Sequence, residues 1–207
     1  MEVFVARQPI FTADKRVFGY ELLYRSGKQN VYDHVDGDQA TLDVIANGFS
    51  VIGFEVLSGG KPVFINLTQN MLHQGVITAI SSKNVIAEIL EDVVLDQKTI
   101  AACLKLKELG YTIALDDVVA ISDVAPMLDL ADIIKVDFSQ TQPEQWQAIP
   151  KTIGTDRIKF LAEKVETLEE YEQAANCGYT YFQGYFFSKP VILSGQDLAP
   201  YKLNYFR

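Results

Sequence analysis

The 207-residue chain predicts an α/β protein, a modified (β/α)8 TIM barrel with an antiparallel first strand. Three observations carry this. Eight short apolar runs have strand character, amphipathic stretches separate the later runs, and five polar residues, "TADKR", join the first two. So short a polar connection suits a hairpin, which sets the first strand against the second. Continuous apolar strands alternating with helices call for parallel strands covered on their outer side.

The runs, in order, are "VFVARQPIF" near 3–11, "VFGYELLY" 17–24, "VFIN" 63–66, "VIAEI" 85–89, "TIALD" 112–116, "IIKVD" 133–137, "IKFLAE" 158–163 and "YTYFQG" 179–184. Between them, "DQKTIAACLKLKELG" is the clearest helix. Asp96 caps its start, Ile100, Leu104 and Leu109 fall near one face, and Gly110 suits the position after its end. In "ETLEEYEQAANCG", Thr167 and Glu170 form a capping box and Gly178 stops the helix. "QATLDVIANGFSVIG", "TQNMLHQGVITAI", "ISDVAPMLDLA" and "QPEQWQAIPKTIG" read as weaker helices, two of them limited by Pro126 and Pro150. The polar stretch 25–40 reads as a loop. No linker, repeat or low-complexity run divides residues 1–207, which read as a single domain.

A net charge of -9 and a pI near 4.7 argue against a nucleic-acid polymer or an anionic membrane surface as partner. An anionic ligand would need metal ions to reverse the local sign. Cys103 and Cys177 form neither a disulfide framework nor a zinc pattern, which points to a reducing cytoplasm. The start "MEVFVARQPIF" lacks the features of a signal peptide, and no run approaches the ~18 apolar residues of a membrane span.

Strands two to eight each end in polar groups: Glu21, Asn66, Glu88, Asp116 with Asp117, Lys135 with Asp137, Glu163 and Gln183. The C-terminal ends of barrel strands form the face where active sites sit. Taken alone, Asp116 reads as a turn or cap residue and Asn66 as a helix cap. Glu88 and Lys135 lie inside apolar runs, where a charge is costly unless paired or ligated. Carboxylates and an amide carbonyl, without His or Cys, suit Mg²⁺ or Mn²⁺. Adjacent Asp116 and Asp117 can bridge two ions, which in two-metal sites lie ~3.5–4 Å apart. Lys135, amid negative charge, stays protonated and suits orienting a water or steadying a phosphate. Glu163 can ligate metal or accept the water's proton. His34 and His73 stand outside any ligand spacing and read as surface residues, and Trp146 as a core or groove aromatic. Glu91 reads equally as a solvated charge or a clamp for a nearby loop. Glu166 belongs to the same rim or simply begins a helix.

These residues resemble the EAL domain family, which binds or hydrolyses cyclic di-GMP, in order along nearly the whole chain. "RQPIF" at 7–11 looks like its opening Gln-Pro strand, and "YELLYR" at 20–25 like its Glu-Ala-Leu-Leu-Arg signature, with Leu22 for Ala. "FINLT" carries its Asn at Asn66, "AEILED" its Glu-x-x-Glu at Glu88 and Glu91, "LDDV" its Asp pair and "IKVD" its Lys. "AEKVET" matches Glu-Gly-Val-Glu with Lys164 for Gly, and "FQGYFFSKP" matches the closing motif. The resemblance implies a barrel with an antiparallel first strand. It implies that Glu21, Asn66, Glu88, Asp116, Asp117 and Glu163 bind Mg²⁺ or Mn²⁺. Lys135 and Gln183 then lie near the attacking water and phosphate, with Glu21 and Glu163 in the catalytic set. Gln8, Leu23, Arg25 and Asp137 lie on the substrate side, and Glu91 and Glu166 support loops. The implied reaction opens cyclic di-GMP to linear 5′-pGpG.

The family's Phe-Gly-Thr-Gly after the Asp pair is replaced here by Val118, Val119, Ala120 and Ile121. That loop carries the family's metal-site support and its dimer contact, so a homodimer stays open. The wording of "ARQPIF", "GYELLYR" and "GGKPVFINLT" most resembles EAL domains followed by an HDOD domain, which implies an N-terminal part of a longer EAL–HDOD protein. Three functions compete: a metal-dependent phosphodiesterase, a degenerate cyclic di-GMP receptor or interaction module, and a different metal-assisted barrel enzyme with a lysine base.

Overall fold

β1 (Phe4–Thr12) and β2 (Val17–Arg25) form the antiparallel hairpin that the sequence predicts, with Gln8 opposite Glu21. Its turn is closed by the Thr12 N–H donating to the Arg16 carbonyl at 2.9 Å, with Lys15 left-handed. The computed structural model describes residues 4–25, 52–154 and 156–194, together with Asp38, Leu42, Ile45 and Phe49. His34, the Arg25 side chain, and most of the predicted loop 25–40 and of the helix over 39–53 lie outside the described residues.

The hairpin is followed by α1 (Phe54–Ser58), β3 (Val63–Leu67), α2 (Gln69–Gln74), β4 (Val85–Ile89), α3 (Gln97–Glu108), β5 (Thr112–Leu115) and α4 (Ile121–Val124). Then come β6 (Ile133–Asp137), α5 (Pro143–Ile153), β7 (Lys159–Glu163), α6 (Leu168–Asn176), β8 (Tyr181–Phe182) and β9 (Val191–Ser194). Strands β2 to β8 pair in parallel in chain order, and β1 closes the ring by pairing antiparallel to both β2 and β8. The result is a closed eight-stranded barrel. β9, which the sequence reading did not identify, adds to the outer half of β1 over residues 4–7.

Local chemistry sets the element ends. The Asp96 side chain accepts from the Thr99 N–H at 2.8 Å and starts α3. Thr167 and Glu170 cap α6 reciprocally. Two helix readings need correction. The buried face of α3 is Thr99, Cys103 and Leu106, whereas Leu104 and Leu109 are exposed. The Thr99 hydroxyl donates to the Val94 carbonyl at 2.8 Å, which turns that face inward. Pro150 does not end α5, which continues to Ile153. So near the C-terminus a proline forfeits one backbone bond, and the Gly154 N–H still reaches the Pro150 carbonyl at 2.8 Å.

β8 is short because the chain turns sharply at Gly184. A Cβ there would lie 2.1 Å from the Val165 carbonyl oxygen, so only glycine lets the two backbones approach. Two apolar layers hold the barrel. Outside, the helices pack on the sheet. Inside, Ile10, Phe64, Ile86, Ala114, Ile133 and Leu161 meet, with Phe18 and Tyr181 against them, so all eight barrel strands contribute. Side chains alternate along a strand, so the residue two positions on returns to the same inner face. From β3 to β8 those residues are Asn66, Glu88, Asp116, Lys135, Glu163 and Gln183. On the reversed β1, counting backwards from Ile10 gives Gln8. On β2 a register shift at Phe18 breaks the alternation, and Glu21, three residues on, joins the same polar layer above the apolar plug.

Phe64 is fully buried in that plug. Replacing it with Ala is expected to lower unfolding stability by about 3–5 kcal/mol, read from the urea midpoint, because the buried ring is lost and a cavity is left in its place. A loss below about 1 kcal/mol would contradict a close-packed plug.

Candidate active site at the barrel mouth

Lys135 stands at the centre of the polar layer. Its Nζ lies 2.7 Å from Asp116 Oδ1, 2.8 Å from Glu163 Oε1 and 4.0 Å from Glu21 Oε2, and it donates a short hydrogen bond to Glu88 Oε1. The side chain is 1% exposed. Strand register explains the geometry. β4 is set against β5 so that Glu88 pairs with Ala114, one step below Asp116, which makes Glu88 the floor of the site. The long lysine side chain on β6 reaches both levels.

Burial alone would push the Lys135 ammonium down, but Asp116, Glu163, Glu88 and Glu21 hold it well above the usual lysine range. A lysine so held is a fixed positive charge and hydrogen-bond donor, not a base. Burial pushes Glu88 and Glu163 well up, helped by their carboxylate neighbours and opposed by Lys135. Burial also works to raise Asp116, yet Lys135 wins there and keeps it low. Glu21 is gripped from the side: Gln183 Nε2 donates to its Oε2 at 2.7 Å, and Asn66 Nδ2 lies 3.4 Å from its Oε1.

Asp117 points elsewhere. Its backbone is left-handed, with φ of 43°, and its carboxylate faces Lys164, whose Nζ lies 3.3 Å from Oδ2. Lys164 also donates to Asp137, which lies buried below and accepts from Ser139 N at 2.7 Å, Ser139 Oγ at 2.6 Å and Gln140 Nε2 at 2.7 Å. Burial would raise Asp137, but Lys164, Ser139 and Gln140 together bring it down to about 2.

The mouth opens as a cleft of about 430 Å³. Gln8, Glu21, Leu23, Asp116, Asp117, Lys135, Glu163, Glu166 and Gln183 line it among the residues expected from sequence. Asp137 and Glu88 sit behind that wall. Glu91 is exposed and makes no hydrogen bond to the loop after the Asp pair. That loop is held instead by Gln145 Nε2 on the Val119 carbonyl at 2.9 Å and by the Val118 N–H on the Lys135 carbonyl at 2.9 Å. His73 lies off the site, its Nε2 3.1 Å from Thr99 Oγ1. Trp146 is a core residue stacked on Phe138. Four wall residues lie outside the set expected from sequence: Ser139, Lys164, Gly184 and the exposed Tyr185. The spacing of Tyr185, two after Gln183, was a usable signal, whereas Ser139 lies beyond any strand.

The donor set fits a hard divalent cation. Four carboxyl groups against one ammonium leave a formal surplus of three negative charges, which the raised pKa values of Glu88 and Glu163 reduce while no cation is bound. Glu88 Oε2, Glu163 Oε2 and Gln183 Oε1 are buried without a hydrogen-bond partner. Ligand oxygens of Asp116, Asp117 and Glu163 lie within 4.8 Å of one another. All are oxygen donors of the kind Mg²⁺ and Mn²⁺ take.

The EAL domain family profile matches residues 52–190. The chain is 44% identical over its whole length to the uncharacterized protein YuxH of Bacillus subtilis, of which it covers 52%. It is 34% identical, over 95% of its length, to the cyclic di-GMP phosphodiesterase CdgJ of Vibrio cholerae, covering 46% of that protein. It therefore spans about half the length of these curated relatives. The manganese and cyclic di-GMP complex of Klebsiella pneumoniae BlrP1 shares the fold, with a TM-score of 0.72 at 23% identity over 94% of this chain and 60% of that one. No described helix is long and apolar enough to cross a membrane.

Asp137 carries a pH dependence of known sign. Its folded pKa lies below the unfolded carboxylate value, so its contribution is full above about pH 5 and is lost as pH falls towards 2. The difference corresponds to about 2 kcal/mol. The stability gap between wild type and Asp137→Asn, measured by urea unfolding, is expected to narrow by more than 1 kcal/mol between about pH 5 and pH 2.5. A gap constant over that range contradicts the assignment.

Proposed function

The chain belongs to the EAL domain family, and from that premise we propose that it is a metal-dependent phosphodiesterase that hydrolyses cyclic di-GMP to linear pGpG. The observation that carries this reading is the buried Lys135 ammonium ringed by Glu21, Glu88, Asp116 and Glu163 at the mouth. A residual negative charge on hard oxygen donors would repel a phosphodiester unless a divalent cation neutralised it, so metal and anionic substrate belong together here. The relation to a cyclic di-GMP phosphodiesterase supports the choice of substrate.

In this reading Glu21, Asn66, Glu88, Asp116, Asp117 and Glu163 would hold Mg²⁺ or Mn²⁺. When bound, the ion polarises a phosphoryl oxygen and lowers the pKa of a bound water. Lys135 steadies charge that grows on the phosphoryl oxygens, a role its fixed ammonium suits. The free Oε2 of Glu163 is available to accept the water's proton. Gln183 orients Glu21 through its Nε2 and keeps its own carbonyl facing the site. Gln8, Leu23 and Arg25, on the hairpin, hold the dinucleotide. The cleft is of a size that small-molecule sites use, roughly 300–1,000 Å³. A second reading, a cyclic di-GMP receptor without turnover, is favoured by the salt bridge of Lys164 to Asp117, which engages one of the ligands.

Micromolar protein incubated with cyclic di-GMP and Mn²⁺ or Mg²⁺ is expected to give pGpG on chromatography, and excess EDTA is expected to stop it. Asp116→Asn should lower the rate at least about 100-fold, since it removes a metal ligand and a Lys135 partner together. No product over hours overturns hydrolysis. Calorimetry with cyclic di-GMP in Ca²⁺ then decides between the receptor and no role for the dinucleotide.

A further inference from the structure

We propose that Lys164 is a built-in cation that occupies one of the cation positions of the barrel mouth, so that the cleft takes one divalent ion fewer than its carboxylates alone would hold. The inference rests on the metal-site reading above and concerns how many ions that site accepts.

Two ammonium groups divide six of the acidic side chains at the mouth with no shared partner among them. Lys135 serves Glu21, Glu88, Asp116 and Glu163, and Lys164 serves Asp117 and Asp137. The inner set, four carboxyl groups against one ammonium, has a formal surplus of three negative charges. The outer set, two carboxylates against one ammonium, keeps one. Demand for a further cation is therefore concentrated at the inner set. Oxygens of Asp117, Asp116 and Glu163 lie close enough for one ion, yet Asp117 faces an ammonium 3.3 Å away. A cation coordinated by Asp117 competes with that ammonium for the carboxylate.

The ammonium is anchored more firmly than its exposure suggests. An exposed ion pair between two mobile side chains contributes little. Here the partner Asp137 is fully buried and fixed by four further hydrogen bonds from Ser139 and Gln140. Lys164 thus reaches Asp117 from a rigid base. The backbone carries a second mark. Asp117 and Lys164 both have left-handed φ, 43° and 53°, and Lys15 is the other described non-glycine residue that does. Glycine would adopt the conformation at 164 without strain, and a lysine held there against its preference points to the side chain as the reason for its presence.

The test counts bound ions and needs no turnover. The chain is titrated with Mn²⁺ and free Mn²⁺ is followed by electron paramagnetic resonance. Lys164→Gly, which relieves the left-handed strain, is expected to bind one Mn²⁺ more per chain than wild type. Lys164→Gln, which keeps side-chain length but removes the charge, is expected to do the same and guards against a folding effect in the glycine variant. Lys164→Arg is expected to keep the wild-type count. Equal counts in wild type, Lys164→Gly and Lys164→Gln overturn the inference while leaving the metal site standing. No Mn²⁺ bound by any of them overturns the metal reading and this inference with it.

Discussion

Everything at the mouth depends on one buried ammonium. Removing a lysine and four carboxylates from water is costly, and pairing them returns only part of that cost. Such a cluster is not a stabilising device. The barrel supports it because two apolar layers, one inside the strands and one beneath the helices, carry the fold independently. Lys135 in turn fixes what the carboxylates can do. It keeps Asp116 ionised, while Glu88, one register step lower, is left with an oxygen that no protein group satisfies. A ring with surplus charge and unsatisfied oxygens is shaped for something absent from the polypeptide itself.

The adjacent carboxylates of Asp116 and Asp117 serve two different neighbourhoods. Extended backbone on β5 delivers Asp116 to the inner ring, and the left-handed turn at Asp117 swings the next carboxylate across to β7. The apolar residues that follow have a structural reason. Val118 is a buried core residue whose N–H donates to the Lys135 carbonyl on β6. Gln145 on α5 then fastens the loop at Val119.

Much of this was legible in the sequence because the determining signals are local and periodic. The polar residue closing each apolar run announces the inner face, and "TADKR" announces the reversed first strand. What was not legible depends on contacts distant in sequence. β9 is four residues that become a strand only because β1 offers a free edge. The buried face of α3 is Thr99, bonded to the Val94 carbonyl, with Cys103 and Leu106, while Leu104 and Leu109 are exposed. Asp137 read as a substrate contact, yet the turn at Ser139 and Gln140 folds over it and Lys164 seals it. Lys164 itself stood out only as a departure from glycine. Its pairing across three strand ends needed coordinates.

The plug gives the mouth a floor. Ile10, Phe64, Ile86, Ala114, Ile133 and Leu161 close the barrel just beneath Glu88, so the site is a cup and not a tube. A cup with a dry, weakly polarisable base cannot draw counter-ions from below. Its whole electrical imbalance must be answered through the rim, from one direction.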